Sequence, residues 1–170
     1  MEKLKSWHVG VAGEAMAAGS FARCGCDVSV QYGANQPIYD LMIAKAELVL
    51  KVSVKASQTG YWGLTQAKLD KRKANYHTAI ERWLSAHDER VALCFVQFKD
   101  VGLSDLPRIY LAWPQEVAER LKATACGRGH TVLYEEHAWS AKAVGAGSVE
   151  RIPEAWKFSP ARLEQFLSRS

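Results

Sequence analysis

The sequence has 170 residues, of which 48% are hydrophobic, and its formal net charge is +4 at pH 7. A chain of this length and composition predicts one domain that buries a full core without disulfides. The small basic excess indicates a nucleic-acid partner only weakly. Residues 1–26 contain no uncharged apolar run that would suit a secretory signal, and no segment reaches the roughly 18 apolar residues of a membrane span. We therefore expect neither a secretory signal nor a membrane span.

The cysteines and histidines do not follow a zinc-binding pattern. The four cysteines, at positions 24, 26, 94 and 126, form no paired CxxC units, and the five histidines show no HExxH spacing. Cys94 lies in the apolar run VALCFVQF and is predicted to be a small core residue, since free cysteine is commonly buried. Reduced thiols and a cytoplasmic location fit this composition best.

The N-terminal half predicts one helix, three strands and a second, longer helix. Apolar and small residues at helical spacing predict the helices, and alternation between apolar and polar residues predicts the strands. The expected helices cover residues 10–23 and 66–86, and the expected strands cover residues 26–31, 38–44 and 48–56.

The C-terminal half adds further strands and helices. The run 91–98 is so apolar that it predicts a central strand, and 108–113 and 131–135 predict two more. Pro114 suits the first turn of a helix that continues to about residue 124. Ser159 followed by Pro160 is typical of a helix start, and this helix closes the chain.

This order of elements predicts an α/β fold with a central mixed β-sheet flanked by helices. We expect a single domain over residues 1–170, with a core at residues 10–125 and a C-terminal extension at residues 126–170. The segment near Gly145 is glycine-rich and is expected to be irregular.

The stretch from Tyr39 to Lys55 is the most informative part of the sequence. Asp40 stands at the start of an apolar strand, and Ser53 and Lys55 stand two residues apart in the next one. Since residues i and i+2 share a strand face, Ser53 and Lys55 point one way while Val52 and Val54 point into a core. An acid, a hydroxyl and a lysine on one side of a hairpin make a plausible site for a divalent metal and a phosphate.

A second carboxylate, that of Glu14, shares one side of the first predicted helix with Ala18, Phe21 and Ala22. Glu14 is either solvated at the rim of that side or points toward a site at the sheet edge. Small neighbours, among them Gly13 and Gly19, would let the helix approach the sheet closely.

Each candidate residue also has a purely structural interpretation. Asp40 is either a turn residue that bonds its own backbone or a hard oxygen ligand for Mg²⁺. Lys55 is either a surface lysine with a buried stem or a fixed cation beside a scissile phosphate.

The ordered segments GEAMA, PIYDL and KVSVKAS resemble the PD-(D/E)xK nuclease superfamily. They are most similar to the branch near Holliday-junction resolvases and small endonuclease-like domains. The resemblance covers residues 10–58 and extends more loosely to RIYLAWPQEVAERL and IPEAWKFSPARLEQFL.

The resemblance implies a restriction-endonuclease-like core and a metal-dependent DNA endonuclease that uses Mg²⁺ or Mn²⁺. It assigns Glu14, Asp40 and position 53 as metal ligands and Lys55 as the catalytic lysine. Ser53 departs from the family pattern, which has an acid there, although some relatives carry glutamine. Glu47 lies about 20 Å from Ser53 along an extended strand and cannot replace it, whereas Gln58 is nearer but follows the predicted strand. Many relatives act as dimers, so a homodimer is a further expectation.

Contacts to DNA are expected from the residues that follow the predicted site, namely Gln58, Lys68, Lys71 and Arg72. The three basic residues could equally form a solvated helix face. Tyr61 and Trp62 either stack on bases or cover the core.

Three functions fit these features. The first is a metal-dependent endonuclease. The second is a weakened or inactive nuclease-fold module that binds DNA or a protein. The third is an immunity or regulatory protein in which Asp40 and Lys55 form an ion pair that serves only stability.

Overall fold

The computed structural model describes residues 4–31, 38–69 and 75–169. The chain divides into two compact units, which are treated separately below. The first consists of Met1–Thr59, Arg90–Ala112 and Glu154–Ser170, and the second of Gly60–Glu89 and Trp113–Pro153. A single domain for the whole chain stays a prediction.

The described residues contain helices and strands in both units. The α-helices are α1 (Ser6–Arg23), α2 (Tyr76–Ser85), α3 (Pro114–Ala123) and α4 (Pro160–Leu167). The strands are β1 (Asp27–Val30), β2 (Leu41–Lys45), β3 (Leu48–Ser57), β4 (Tyr61–Gly63), β5 (Val91–Gln97), β6 (Arg108–Ala112), β7 (Val132–Tyr134), β8 (Glu136–Ala138) and β9 (Val149–Arg151).

A five-stranded sheet in the order β1-β2-β3-β5-β6 forms the centre of the first unit. β3 and β5 pair in parallel, while the other neighbours pair antiparallel. The sheet is therefore mixed, and the predicted α/β fold with a central mixed β-sheet and helices is confirmed.

β5 has the central position that its apolar sequence predicts. It pairs with β3 on one side and β6 on the other, and all seven of its residues are buried. Cys94 and Phe95 are fully buried, so the prediction that Cys94 belongs to the core is confirmed.

α1 lies very close to the sheet because it carries a glycine at the point of contact. A Cβ atom added at Gly13 would lie 2.3 Å from the Cβ of Ala56 on β3, which no side chain tolerates. Phe21 on the same helix is fully buried, as are Leu163 and Phe166 of α4, which also contacts β3. The close approach expected from the small residues of α1 is confirmed at Gly13.

The long helix predicted at residues 66–86 is wrong as a continuous element. Gln66–Lys68 form a short 3-10 helix that ends at Leu69 in an extended conformation. α2 begins only at Tyr76, where the Asn75 side chain accepts a hydrogen bond from the Thr78 amide. The helical spacing of apolar residues continues across this break and therefore did not reveal it. Asn75 caps a separate helix.

The second unit is built on short strands and two helices. β4 pairs with β7, β8 pairs with β9, and α2 contacts α3. The glycine-rich segment contains turns at Gly145 and Gly147, both with positive φ, and continues into β9. Tyr61 and Trp62, for which the sequence left stacking on bases or covering the core open, thus lie in a strand.

In the first unit, α4 begins as predicted, since the Ser159 hydroxyl accepts a hydrogen bond from the Arg162 amide. α1 begins at Ser6 rather than Gly10, which places Val9 among the buried residues. Among the described helices, none is long and apolar enough to cross a membrane.

Candidate functional site

Asp40 is anchored to the neighbouring strand. Its amide donates to the Val52 carbonyl at 2.9 Å, and its Oδ2 accepts a hydrogen bond from the Val54 amide at 2.6 Å. The turn interpretation placed the bonds of this carboxylate on its own local backbone, but these bonds run to β3. Because two groups of Asp40 are held by β3, its carboxylate has a fixed position at the start of β2.

Ser53 lies directly beside this carboxylate. The register pairs Leu41 with Val52, so Asp40 stands opposite Ser53, and the Ser53 hydroxyl donates to Asp40 Oδ2 at 3.2 Å. Ser53 is only 5% exposed, and Val52 and Val54 are buried as well, so both faces of β3 are covered here. The third position of the predicted ligand set thus faces Asp40, as the alternation of the strand requires.

Glu14 is half-buried on α1 and belongs to the same group of charges. Burial raises the pKa of its carboxyl, the negative charge of Asp40 raises it further, and the positive charge of Lys55 lowers it. The Glu14 carboxyl thus lies within electrostatic reach of both other groups. The structure therefore places the acid of α1 within reach of the acid that precedes β2 and of the lysine of β3.

Lys55 is half-buried near the C-terminal end of β3, opposite Phe95 of β5 in the parallel register. Two carboxylates and one lysine carry a net charge of −1 when all three are ionised. An excess of negative charge in a partly buried site favours a cation.

The oxygen atoms of this group have the chemistry that Mg²⁺ or Mn²⁺ prefers. Glu14 and Asp40 supply carboxylates, and the Ser53 oxygen lies beside one of them. Mg²⁺ commonly takes one or two protein carboxylates and completes its shell with water and phosphate oxygens. The residues therefore fit a divalent ion with two protein carboxylates.

The group lacks a third strong ligand. Within residues 4–31, 38–69 and 75–169, no cluster of three or more His, Cys, Asp or Glu side chains could hold a metal. Glu47 is exposed in the turn between β2 and β3, at the far end of β3 from Lys55. Gln58 bonds the backbone of Leu4 with both ends of its carboxamide, through Oε1 at 3.1 Å and Nε2 at 2.7 Å. Glu47 therefore lies far from Asp40, and the Gln58 carboxamide holds the segment before α1.

The described residues predicted to contact DNA do not all lie in the unit that contains Glu14, Asp40 and Lys55. Lys68 is exposed in the short 3-10 helix of the second unit, outside α2. Lys71 and Arg72 lie outside the described residues. The assignment of Gln58, Lys68, Lys71 and Arg72 to DNA binding stays a prediction.

The two aromatic residues of β4 have different environments. Trp62 is 3% exposed and covers the core, whereas Tyr61 is 44% exposed. The Tyr61 ring lies 6.1 Å from that of Tyr134, which stacks on His137 at 4.2 Å between ring centroids. Tyr61 is thus the accessible edge of a ring cluster that the sequence, with Tyr134 far along the chain, did not reveal.

Comparison with protein-family models finds no match, and comparisons with curated proteins and with solved structures find none either.

Proposed function

We propose that this protein is a metal-dependent DNA endonuclease that hydrolyses phosphodiester bonds with Mg²⁺ or Mn²⁺. The observation that carries the proposal is the convergence of Glu14, Asp40 and Lys55 from three separate elements. These are the residue types, in the chain order, that the resemblance to PD-(D/E)xK nucleases implies.

Each residue has a distinct part in the proposed reaction. Glu14 and Asp40 would hold the metal, and the bond from the Val54 amide keeps Asp40 in one orientation. The bound metal would lower the pKa of an attacking water and neutralise charge on the phosphate. Lys55 positions that water or stabilises the charge that develops on the phosphate oxygens.

Ser53 supports Asp40 by donating its hydroxyl hydrogen to Oδ2, and its oxygen lone pairs remain able to face a cation. A neutral hydroxyl attracts a divalent ion less strongly than the family's acid does. We therefore expect weaker metal binding than a third carboxylate would give.

The absence of a third acid also favours a second candidate function. A nuclease-fold module with weak metal affinity would bind DNA, or a protein partner, without cutting. In such a module Asp40 would link the start of β2 to β3 through the Val54 amide and the Ser53 hydroxyl.

Nicking of supercoiled plasmid DNA separates the two functions. The protein is incubated with plasmid and Mg²⁺ or Mn²⁺, with EDTA as the control for metal dependence. Metal-dependent nicking that Asp40→Asn abolishes and Asp27→Asn leaves unchanged is the expected result, because Asp27 lies exposed on β1. If the wild type and Asp40→Asn both bind DNA without nicking it, the second function is favoured. Nicking by Asp40→Asn contradicts the assigned site.

DNA binding has its own readout in the salt dependence of affinity. Each phosphate contact contributes about 0.9 to the slope of log K against log salt. We expect Lys68→Ala to reduce that slope by roughly this amount, and the pair Lys68→Ala and Arg72→Ala by about twice as much. An unchanged slope excludes these residues as phosphate contacts. A cytoplasmic location and a homodimer are further parts of this proposal.

A further inference from the structure

A cavity of about 450 Å³ lies in the first unit beside α1. Its walls come from the C-terminal half of α1, from the segment that leads into β6, and from the residues at the start of α4. The volume falls within the range of pockets that bind small molecules.

The cavity combines apolar walls with positive charge. Met16, Ile109 and Phe158 line it, and so do three cationic side chains, Arg23, Arg108 and Lys157. None of the described residues that line it is acidic. A second cavity of about 650 Å³ in the same unit differs, because its lining carries Lys99 together with Asp100 and Asp105.

The cationic groups of the lining differ in their existing partners. Arg108 Nη2 donates to the Lys99 carbonyl at 2.9 Å. Lys157 pairs with Glu154 at 3.2 Å, but both side chains are mostly exposed, so the pair is weak and exchangeable. An anion that enters the cavity can therefore replace Glu154 as the partner of Lys157 at little cost.

This cavity is separate from the candidate metal site. Arg23 follows Glu14 by nine residues on α1, which is about two and a half turns of an α-helix, so the two side chains leave opposite sides of the helix. A phosphate held near Glu14 and Asp40 is thus not the group that Arg23 would contact.

We propose that this cavity binds a small organic anion. An aromatic or aliphatic body packs against Met16 and Phe158, and a single phosphate, sulfonate or carboxylate group contacts Arg23, Arg108 and Lys157. Affinity comes from the apolar contact, while the charge-assisted hydrogen bonds select an anion over a neutral analogue. The proposal is independent of nuclease activity.

The fluorescent probe 8-anilinonaphthalene-1-sulfonate has this chemistry and tests the proposal on the full-length protein. We expect saturable binding to the wild type that is at least tenfold weaker in the double variant Arg23→Ala, Lys157→Ala, since each charge-assisted hydrogen bond commonly changes affinity by about this factor. Lys99→Ala is the matched control, because it removes a cation from the other cavity and should leave the affinity unchanged. Circular dichroism and urea unfolding confirm that the variants are folded.

Cys24 locates the bound probe within the protein. It lines the cavity and is half-buried, whereas Cys26 and Cys94 are buried, so a Cys126→Ser background leaves Cys24 as the accessible thiol. We expect the probe to slow alkylation of Cys24 in this background and to lose that effect when Arg23 and Lys157 are replaced. Equal probe affinity in the double variant, or alkylation that the probe does not slow, overturns the proposal.

Competition then identifies the anionic group. Either 1-naphthyl phosphate or 1-naphthoate should displace the probe, and the tighter competitor distinguishes a phosphate ligand from a carboxylate ligand. Neutral 1-naphthol should compete at least tenfold less well than the better anion, for the same reason as above. If 1-naphthol displaces the probe as effectively as both anions do, the site does not select for charge and the proposal is contradicted.

Discussion

The Oδ2 atom of Asp40 lies 2.6 Å from the amide nitrogen of Val54, so a side chain at the start of β2 is held by the backbone of β3. This bond fixes the carboxylate beside Ser53 and within electrostatic reach of Glu14. The site therefore depends on one strand-to-strand contact as well as on its charged groups.

The electrostatic coupling of Glu14 can be measured directly. The Asp40 charge raises the pKa of Glu14 and the Lys55 charge lowers it. We expect Asp40→Asn to lower the pKa of Glu14 and Lys55→Met to raise it, as followed by the carboxyl ¹³C chemical shift in an NMR titration. Asp27→Asn, on exposed β1, is the control that should leave the titration unchanged. Shifts of the same sign in both variants would contradict the arrangement of the three groups.

Position 53 offers a direct test of the proposed metal site. Ser53→Glu adds a carboxylate next to Asp40, and we expect Mn²⁺ affinity to rise by at least about tenfold, or ~1.4 kcal/mol. Isothermal titration calorimetry measures this change. The same variant should lose stability without metal, because another charge is placed in a site that is 5% exposed.

Ser53→Ala is the matched control for this experiment. It removes the hydroxyl that donates to Asp40 and should cost about 1 kcal/mol of unfolding free energy without increasing metal affinity. Metal affinity that is equal in Ser53→Glu and the wild type means that position 53 does not face the cation.

The contact between α1 and β3 can be tested with two glycines. Gly13→Ala places a Cβ 2.3 Å from that of Ala56, so we expect a loss of about 1–3 kcal/mol in the free energy of unfolding, measured in urea. Gly19→Ala has no heavy atom within 4 Å and should stabilise the same helix by up to about 1 kcal/mol. Adding Ala56→Gly should recover part of the loss at Gly13, and equal effects at both glycines would contradict the close approach.

The sequence predicted those elements that a local pattern of apolar and polar residues is enough to identify. The short apolar run of β5 predicted a buried central strand, and the alternation of β3 placed Ser53 on the same side as Lys55. The break before Asn75 was missed, because Leu69, Tyr76 and Ile80 keep helical spacing across it.

Contacts between distant segments were also beyond the sequence. The donor that anchors Asp40 is the backbone amide of Val54, and every residue type except proline carries such an amide. Arg23, Arg108 and Lys157 meet at one cavity only because α1, β6 and the start of α4 lie side by side. No local pattern in the sequence records that neighbourhood.

We expect the two aromatic residues of β4 to have different roles, Trp62 in core packing and Tyr61 in nucleic-acid binding. Trp62→Ala should cost about 3–5 kcal/mol of unfolding free energy, because it empties a buried site. Tyr61→Ala should change stability little, and weaken binding of a single-stranded oligonucleotide by about 1–3 kcal/mol if its ring stacks on a base. Fluorescence anisotropy measures that binding. Tyr61→Phe is the control that keeps the ring, and an unchanged affinity in Tyr61→Ala excludes stacking at this residue.

The raised pKa of Glu14 makes the free energy of unfolding depend on pH. Burial and the Asp40 charge raise the pKa of Glu14 above the ordinary value of a glutamate, so the folded protein holds this proton more tightly than the unfolded chain does. The resulting stabilisation is present below the unfolded pKa and is lost as pH rises through the folded pKa.

The variant Glu14→Gln tests this dependence, because its side chain cannot ionise and the variant therefore escapes that loss. In EDTA, we expect this variant to unfold at higher urea than the wild type at about pH 7 and at nearly the same urea at about pH 3.5, where both forms are neutral. Glu119→Gln, exposed on α3, provides the control with no such difference. A variant no more stable than the wild type at neutral pH would show that the Glu14 carboxylate is not strained by its surroundings, and would remove it from the metal site.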